Sequence, residues 1–206
     1  LAENYNECEL LLIEANKNVQ NIDIIRYLAY STHNQKKYSE SENYLEELEN
    51  KYTFNDNDYL FRIINWQHLN RNNEIIEFFN NIENAEKITQ FVNFNNIIAY
   101  CYLEKEMFDD AIIYCEKALQ DIPNDFSTLI NNGYCNLKLG FLEKGYKHLL
   151  NAEKINSEDA NLYSNISYYY CCKKEKDLAV QNLTKAKKLG LIQEDCNELE
   201  ELIKKL

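Results

Sequence analysis

Glycine and proline are scarce in this chain of 206 residues, with only 4 Gly and 1 Pro. A sheet protein needs a turn roughly every ten residues, so this shortage of turn formers excludes most β architectures and leaves helix as the default class. No apolar run approaches the length that spans a bilayer, and the first residues lack the charged-then-apolar pattern of a signal peptide. A cytoplasmic compartment is therefore expected. Basic residues are also short: 22 Lys and Arg against 34 Asp and Glu leave a net charge of -12. Phosphate binding needs a basic footprint, so nucleic acid is not expected as a partner, anionic membranes are disfavoured and no membrane insertion is expected.

The chemistry of catalysis is equally thin. Seven cysteines contain no C-x-x-C pair, and the neighbours Cys171 and Cys172 fit neither a disulfide framework nor a zinc site. They read as reduced, mostly buried apolar residues. His33, His68 and His148 stand far apart, without metal-ligand or nucleophile spacing; His33 and His68 can approach only across neighbouring helices, where packing is the plainer role. There is no Walker loop, dinucleotide glycine pattern or nucleophile elbow. No enzyme activity, cofactor or metal site is expected.

What the chain has is apolar and aromatic side chains, a hydrophobic fraction of 45% with 16 Tyr and 9 Phe, enough burial to offset chain entropy. These residues recur. A shift of 34 residues brings Ala111, Gly145 and Ala179 onto one comb, Ala118, Ala152 and Ala186 onto a second, and Ala99, Gly133 and Ser167 onto a third. Small side chains at fixed intervals let paired helices approach closely. Between them, Cys115, Leu149 and Leu183 supply apolar filling, and Asp109, Glu143 and Asp177 put an acid in the first turn of each second helix, where the dipole favours it. Gly140 supplies one turn and Gly190 a helix C-cap. Pro123 blocks continuation of a helix ending near Gln120, and Asn124 or Asp125 caps the next.

These residues resemble the tetratricopeptide repeat family, most clearly over 92–192. The resemblance implies an all-α fold, a right-handed superhelical solenoid of antiparallel helix pairs. One repeat domain over 1–206 is expected to hold about five repeats: 22–55, a degenerate 56–91, 92–125, 126–159 and 160–193. In the degenerate pair Ile63, Ile75 and Ile82 replace small residues, Trp66 replaces a tyrosine, and about two extra residues are inserted. A leading half-repeat over 1–21 and a capping helix over 194–206, with Cys196, Leu199, Leu202 and Ile203 on one face, complete the array. The orphan half-repeat, and Leu1 in place of an initiator methionine, suggest a piece of a longer protein.

The resemblance further implies a concave groove lined by the first helix of each pair, which receives a peptide or protein segment. Mapped onto this sequence, the inward positions give a tyrosine series, Tyr30, Tyr100, Tyr134 and Tyr168, broken by Ile64. Beside it fall Asn93, Asn96, Asn131, Asn161 and Asn165, amides that both donate to and accept from a peptide backbone. Asn and Tyr are abundant throughout the chain, so packing is the competing role for them. The family's lysine, arginine and asparagine clamp for a C-terminal carboxylate is not met: Tyr100 and Tyr134 stand where it needs asparagine, and only Arg26 and Asn131 agree. The expected function is a protein interaction scaffold. The alternatives are a regulatory or peptide-sensing domain of a larger protein, and self-association through the degenerate pair or the last helix.

Overall fold

A computed structural model describes residues 9–15, 21–81 and 94–206. Every regular element among them is a helix. A helical segment over 9–15 (α1) is followed by α2 (Ile22–Asn34), α3 (Tyr38–Lys51), α4 (Asp56–His68) and α5 (Asn72–Asn80). Then come α6 (Phe94–Glu104), α7 (Phe108–Asp121), α8 (Phe126–Lys138), α9 (Leu142–Ile155), α10 (Ala160–Cys172), α11 (Lys176–Lys188) and α12 (Gln193–Lys204). The chain forms two compact units, Leu1–Phe91 and Val92–Leu206. The architecture is an all-α helical repeat solenoid. Ile82, expected in the second helix of the degenerate pair, and Cys8 lie outside the described residues.

Each helix pair is tied at one point, where residues 12 apart in sequence meet. In the α8–α9 pair these are Gly133 and Gly145: a Cβ on Gly145 would lie 2.7 Å from the Gly133 carbonyl oxygen, and one on Gly133 would lie 2.7 Å from Leu149 Cδ2. Only glycine at both positions permits so close a crossing. At the equivalent point of α10–α11, Ser167 Oγ donates to the Ala179 carbonyl at 2.8 Å, and in α2–α3 Ser41 Oγ donates to that of Ala29 at 2.7 Å. Ala99 and Ala111 are fully buried at the corresponding positions of α6–α7. The degenerate pair instead puts Ile63 and Ile75 there, both fully buried.

The turns inside the pairs repeat as closely as the crossings. Residues 36, 70, 106, 140 and 174 all have positive φ, between 55° and 83°. In each turn the N–H of the following residue returns to the carbonyl five residues back, as in Lys37 to Thr32 and Phe141 to Asn136, and the N–H of the positive-φ residue itself reaches the carbonyl three back. This double bond set closes the C-terminus of the first helix. Only Gly140 is a glycine; Lys36, Asn70, Glu106 and Lys174 hold the same left-handed conformation at a steric cost. The spacing is 34 residues except from Asn70 to Glu106, where it is 36, which is where the two extra residues of the degenerate pair sit.

Four of the first helices, α2, α4, α8 and α10, start on side-chain caps. Asn21, Asn55, Asp125 and Asp159 each accept a backbone N–H from the first turn at 2.8–2.9 Å. Asp125 rather than Asn124 therefore caps α8. Second helices emerge from the tight turn without a side-chain cap; an acid in the first turn, Glu40, Glu74, Asp109, Glu143 or Asp177, meets the dipole there instead.

In the first unit, polar groups link the two pairs. Asn65 Nδ2 donates at 2.8 Å to Ser41 Oγ, joining α4 to the crossing point of α2–α3. The Arg62 guanidinium, almost fully buried, pairs with Glu42 at 3.1 Å and Glu49 at 2.6 Å and lies 4.6 Å from the Phe54 ring centre. Trp66 Nε1 donates to Glu42 at 2.9 Å. Burial raises the Glu42 pKa against the opposing pull of Arg62. Where Ile63 and Ile75 replace small residues, a buried ionic and aromatic network does the joining.

The Gly133–Gly145 crossing is directly testable. Gly145→Ala improves helix propensity by about 1 kcal/mol, but its methyl group meets backbone that has no room to yield, and overpacking costs about 1–3 kcal/mol. The denaturant midpoint of the second unit is expected to fall. A midpoint unchanged or raised would count against the crossing.

Candidate groove of the second unit

In the second unit the first helices α6, α8 and α10 lie side by side, and α12 packs against α10 and α11. Helix α12 is held by Cys196, Leu199 and Ile203, all buried, the last two in an apolar cluster with Leu183 and Ala179 of α11 and Cys171 of α10. A cavity of about 340 Å³ opens on the face shared by these helices. Tyr100 of α6, Asn131 and Tyr134 of α8, and Asn161, Asn165 and Tyr168 of α10 all line it. Spacings of three, four and seven residues bring each set onto one helical face.

The tyrosines stand in sequence along the groove, with the Tyr134 and Tyr168 ring centres 6.4 Å apart and Phe108 edge-on to Tyr134 at 6.1 Å. Burial is the main cause of a raised pKa at all three, reaching about 12 at Tyr168. Their hydroxyls are thus protonated donors at neutral pH, and the rings present neutral faces. At Tyr134 burial is opposed by Lys138 and reinforced by Glu198.

Four charged residues also line the cavity: Glu104, Lys138, Asp195 and Glu198. Their roles were not anticipated. Glu104 and Lys138 lie one helical turn beyond Tyr100 and Tyr134, so the spacing could have found them. Asp195 and Glu198 belong to α12, which lies outside the 34-residue comb. That helix both covers the last pair and forms a wall of the cavity. The Lys138 ammonium lies 5.6 Å from the ring centres of Tyr134 and Tyr168 and 5.8 Å from that of Phe108.

Two other expected groove residues, Asn96 and Tyr30, fall elsewhere. Asn96 lies one turn before Tyr100 on α6 but does not line the cavity; its Oδ1 is buried and finds no hydrogen-bond partner among the described residues. Asn93 lies outside the described residues. Tyr30 is in the first unit, where its hydroxyl donates to Asp58 Oδ1 at 2.6 Å and its ring stacks on Phe61 at 4.2 Å. Arg26 is held by the same Asp58 carboxylate through contacts of 2.9–3.1 Å.

His33 and His68 pack against aromatic rings, and of the described cysteines Cys101, Cys115, Cys135, Cys171 and Cys196 are buried while Cys172 is exposed. Tyr38 stacks on His68 at 4.0 Å and meets His33 edge-on, and His33 Nδ1 lies 2.7 Å from Asn65 Oδ1. Burial lowers the His33 pKa. Burial also pushes the thiols of Cys101 and Cys135 up to about 12, which leaves them neutral and unreactive. Among the described residues, no three His, Cys, Asp or Glu side chains are grouped to hold a metal ion, and no helix is long and apolar enough to cross a membrane.

No family model and no curated protein matches the sequence. Solved structures do match the fold. The tetratricopeptide repeat protein YrrB, described as having an unusual peptide-binding site, superposes with a TM-score of 0.65 at 13% identity, over 92% of this chain and 97% of that one. A tetratricopeptide repeat protein from Parabacteroides merdae matches with a TM-score of 0.58 at 18% identity, over 98% and 78% of the two chains. The fold is tetratricopeptide-like. MamA from Desulfovibrio magneticus also matches, with a TM-score of 0.69 at 15% identity, over 82% of this chain and 94% of that one. At these identities the likeness concerns the tetratricopeptide-like fold alone.

Helix α12 carries part of the cavity wall, so loosening it should be visible without any ligand. Leu199→Ala removes a buried anchor and should cost about 2–5 kcal/mol. Amide exchange is expected to accelerate most in α12, with α8 and α9 little changed. Uniform acceleration across the second unit would show that α12 is not a separate covering element.

Proposed function

We propose that this chain is a protein interaction scaffold, and that the groove of its second unit receives a segment of a partner protein. The observation that carries the reading is the convergence of Tyr100, Asn131, Tyr134, Asn161, Asn165 and Tyr168 on one open cavity. Tyrosine supplies large, stiff contact area and a hydroxyl donor, at low entropic cost. Asparagine pairs with both the N–H and the C=O of an extended chain. Together they suit a peptide backbone with alternating side chains, read by an open groove. Of the other residues expected in the groove, Asn96 stands apart from this cavity and Tyr30 would play a separate part in the first unit. A cytoplasmic setting accords with free thiols, of which Cys101, Cys115, Cys135, Cys171 and Cys196 are buried and Cys172 is exposed.

The test is capture from native lysate with the intact chain, beside a Tyr134→Ala, Tyr168→Ala variant of verified fold. A third sample carries Ile113→Ala, a change at an exposed residue that does not line the cavity. A partner retained by the wild type and Ile113→Ala but lost by the tyrosine variant supports the groove. Equal retention by all three would place the binding surface elsewhere.

A further inference from the structure

Charge in the cavity is unbalanced, and the imbalance describes the ligand. Three carboxylates line it, Glu104 from α6 and Asp195 and Glu198 from α12, against a single cation, Lys138. Outside the cavity, some carboxylates of this unit are neutralised by lysines: Glu116 by Lys144, Glu143 by Lys173 and Glu200 by Lys187. Glu104, Asp195 and Glu198 make no ion pair among the described residues. On the same helix Glu200 pairs with Lys187 and Glu201 with Lys204, while Asp195 and Glu198 line the cavity.

We infer that the segment received in this groove is basic, placing a lysine or arginine side chain against the tyrosine faces and among the carboxylates of Glu104, Asp195 and Glu198. The inference rests on the groove reading above and adds the chemistry of the ligand to it. Two independent features point the same way. The three carboxylates outweigh the one lysine and give the recess a net negative potential, where field lines are focused. The rings of Tyr134 and Tyr168 supply π faces already flanking one ammonium group, that of Lys138, so the geometry accommodates a cation. Because burial keeps the tyrosines protonated, the rings retain neutral faces while the carboxylates alone carry the negative charge. An acidic segment would meet three repelling carboxylates and one lysine, and complementarity of this kind selects partners more strongly than it adds affinity. Asn131, Asn161 and Asn165 remain to hold the backbone.

The experiment is selection of random nonapeptides displayed on phage against the full chain, followed by affinity measurement with the synthetic, end-capped winners. The groove variant is Glu104→Gln, Asp195→Asn, Glu198→Gln. The charge-matched control is Glu40→Gln, Glu158→Gln, Asp177→Asn, none of which lines the cavity. Both are checked for helix content and melting before use, and any variant that fails is replaced by its single substitutions. The expected result is enrichment of Lys and Arg, with affinity falling about tenfold in the groove variant and on raising the salt, while the control changes little. Winners that need Tyr134 and Tyr168 but are neither basic nor weakened by the groove variant would overturn the charge inference and leave the groove reading standing. Basic winners weakened equally by the control would reduce the effect to overall charge and overturn the inference too. Winners indifferent to the tyrosine pair, or no winners at all, would overturn both readings.

Discussion

Close approach of two helices at one point, 12 residues apart along the chain, is the constraint on which the rest of the structure depends. At Gly133 and Gly145 the backbones come so near that a single added Cβ would strike a carbonyl oxygen. At Ala29 and Ser41, and again at Ser167 and Ala179, the same approach lets a serine hydroxyl reach the opposing carbonyl. Small residues here fix the crossing, the left-handed turn fixes the direction of return, and each pair then presents its two helices in the same way. In the second unit, three repetitions of this geometry set α6, α8 and α10 in a row, which alone can bring residues from 100 to 168 onto one face.

Helix α12 stands outside the 34-residue repeat, and its apolar side rests on α10 and α11. A helix used only as a cover would carry an indifferent polar face. Here that face splits, with Glu200 paired to Lys187 and Asp195 and Glu198 turned to the cavity. The first unit, by contrast, spends its polar residues internally. Asp58 holds both Arg26 and Tyr30, and Glu42 holds Arg62 and Trp66, which ties the pair with isoleucines at its crossing to the pair before it.

How much of this could be read in the sequence follows from what each feature needs. The combs were legible because only small side chains tolerate the crossing, and the restriction repeats at 34 residues. Four of the five left-handed turns were not legible, because Lys36, Asn70, Glu106 and Lys174 adopt a conformation that their side chains disfavour and that the closing hydrogen bonds impose. The cap on α8 was legible to within a residue, since Asn124 and Asp125 have the same chemistry. Six of the nine expected groove residues meet at one cavity, as the helical period requires. The environment of Tyr30 could not be foreseen, since it depends on Asp58, whose carboxylate accepts from the Asn55 N–H at the start of the next helix and also reaches Tyr30. Asp195 and Glu198 were missed because no repeat predicts where a terminal helix will lie.

The central claim is that the stacked first helices and α12 form the working face of the second unit. Amide hydrogen exchange of the full chain, with and without a peptide selected to bind it, tests that claim most directly. Protection concentrated in α8, α10 and α12, with α7, α9 and α11 unchanged, is the result predicted. Protection confined to the second helices, or to the first unit, would contradict it.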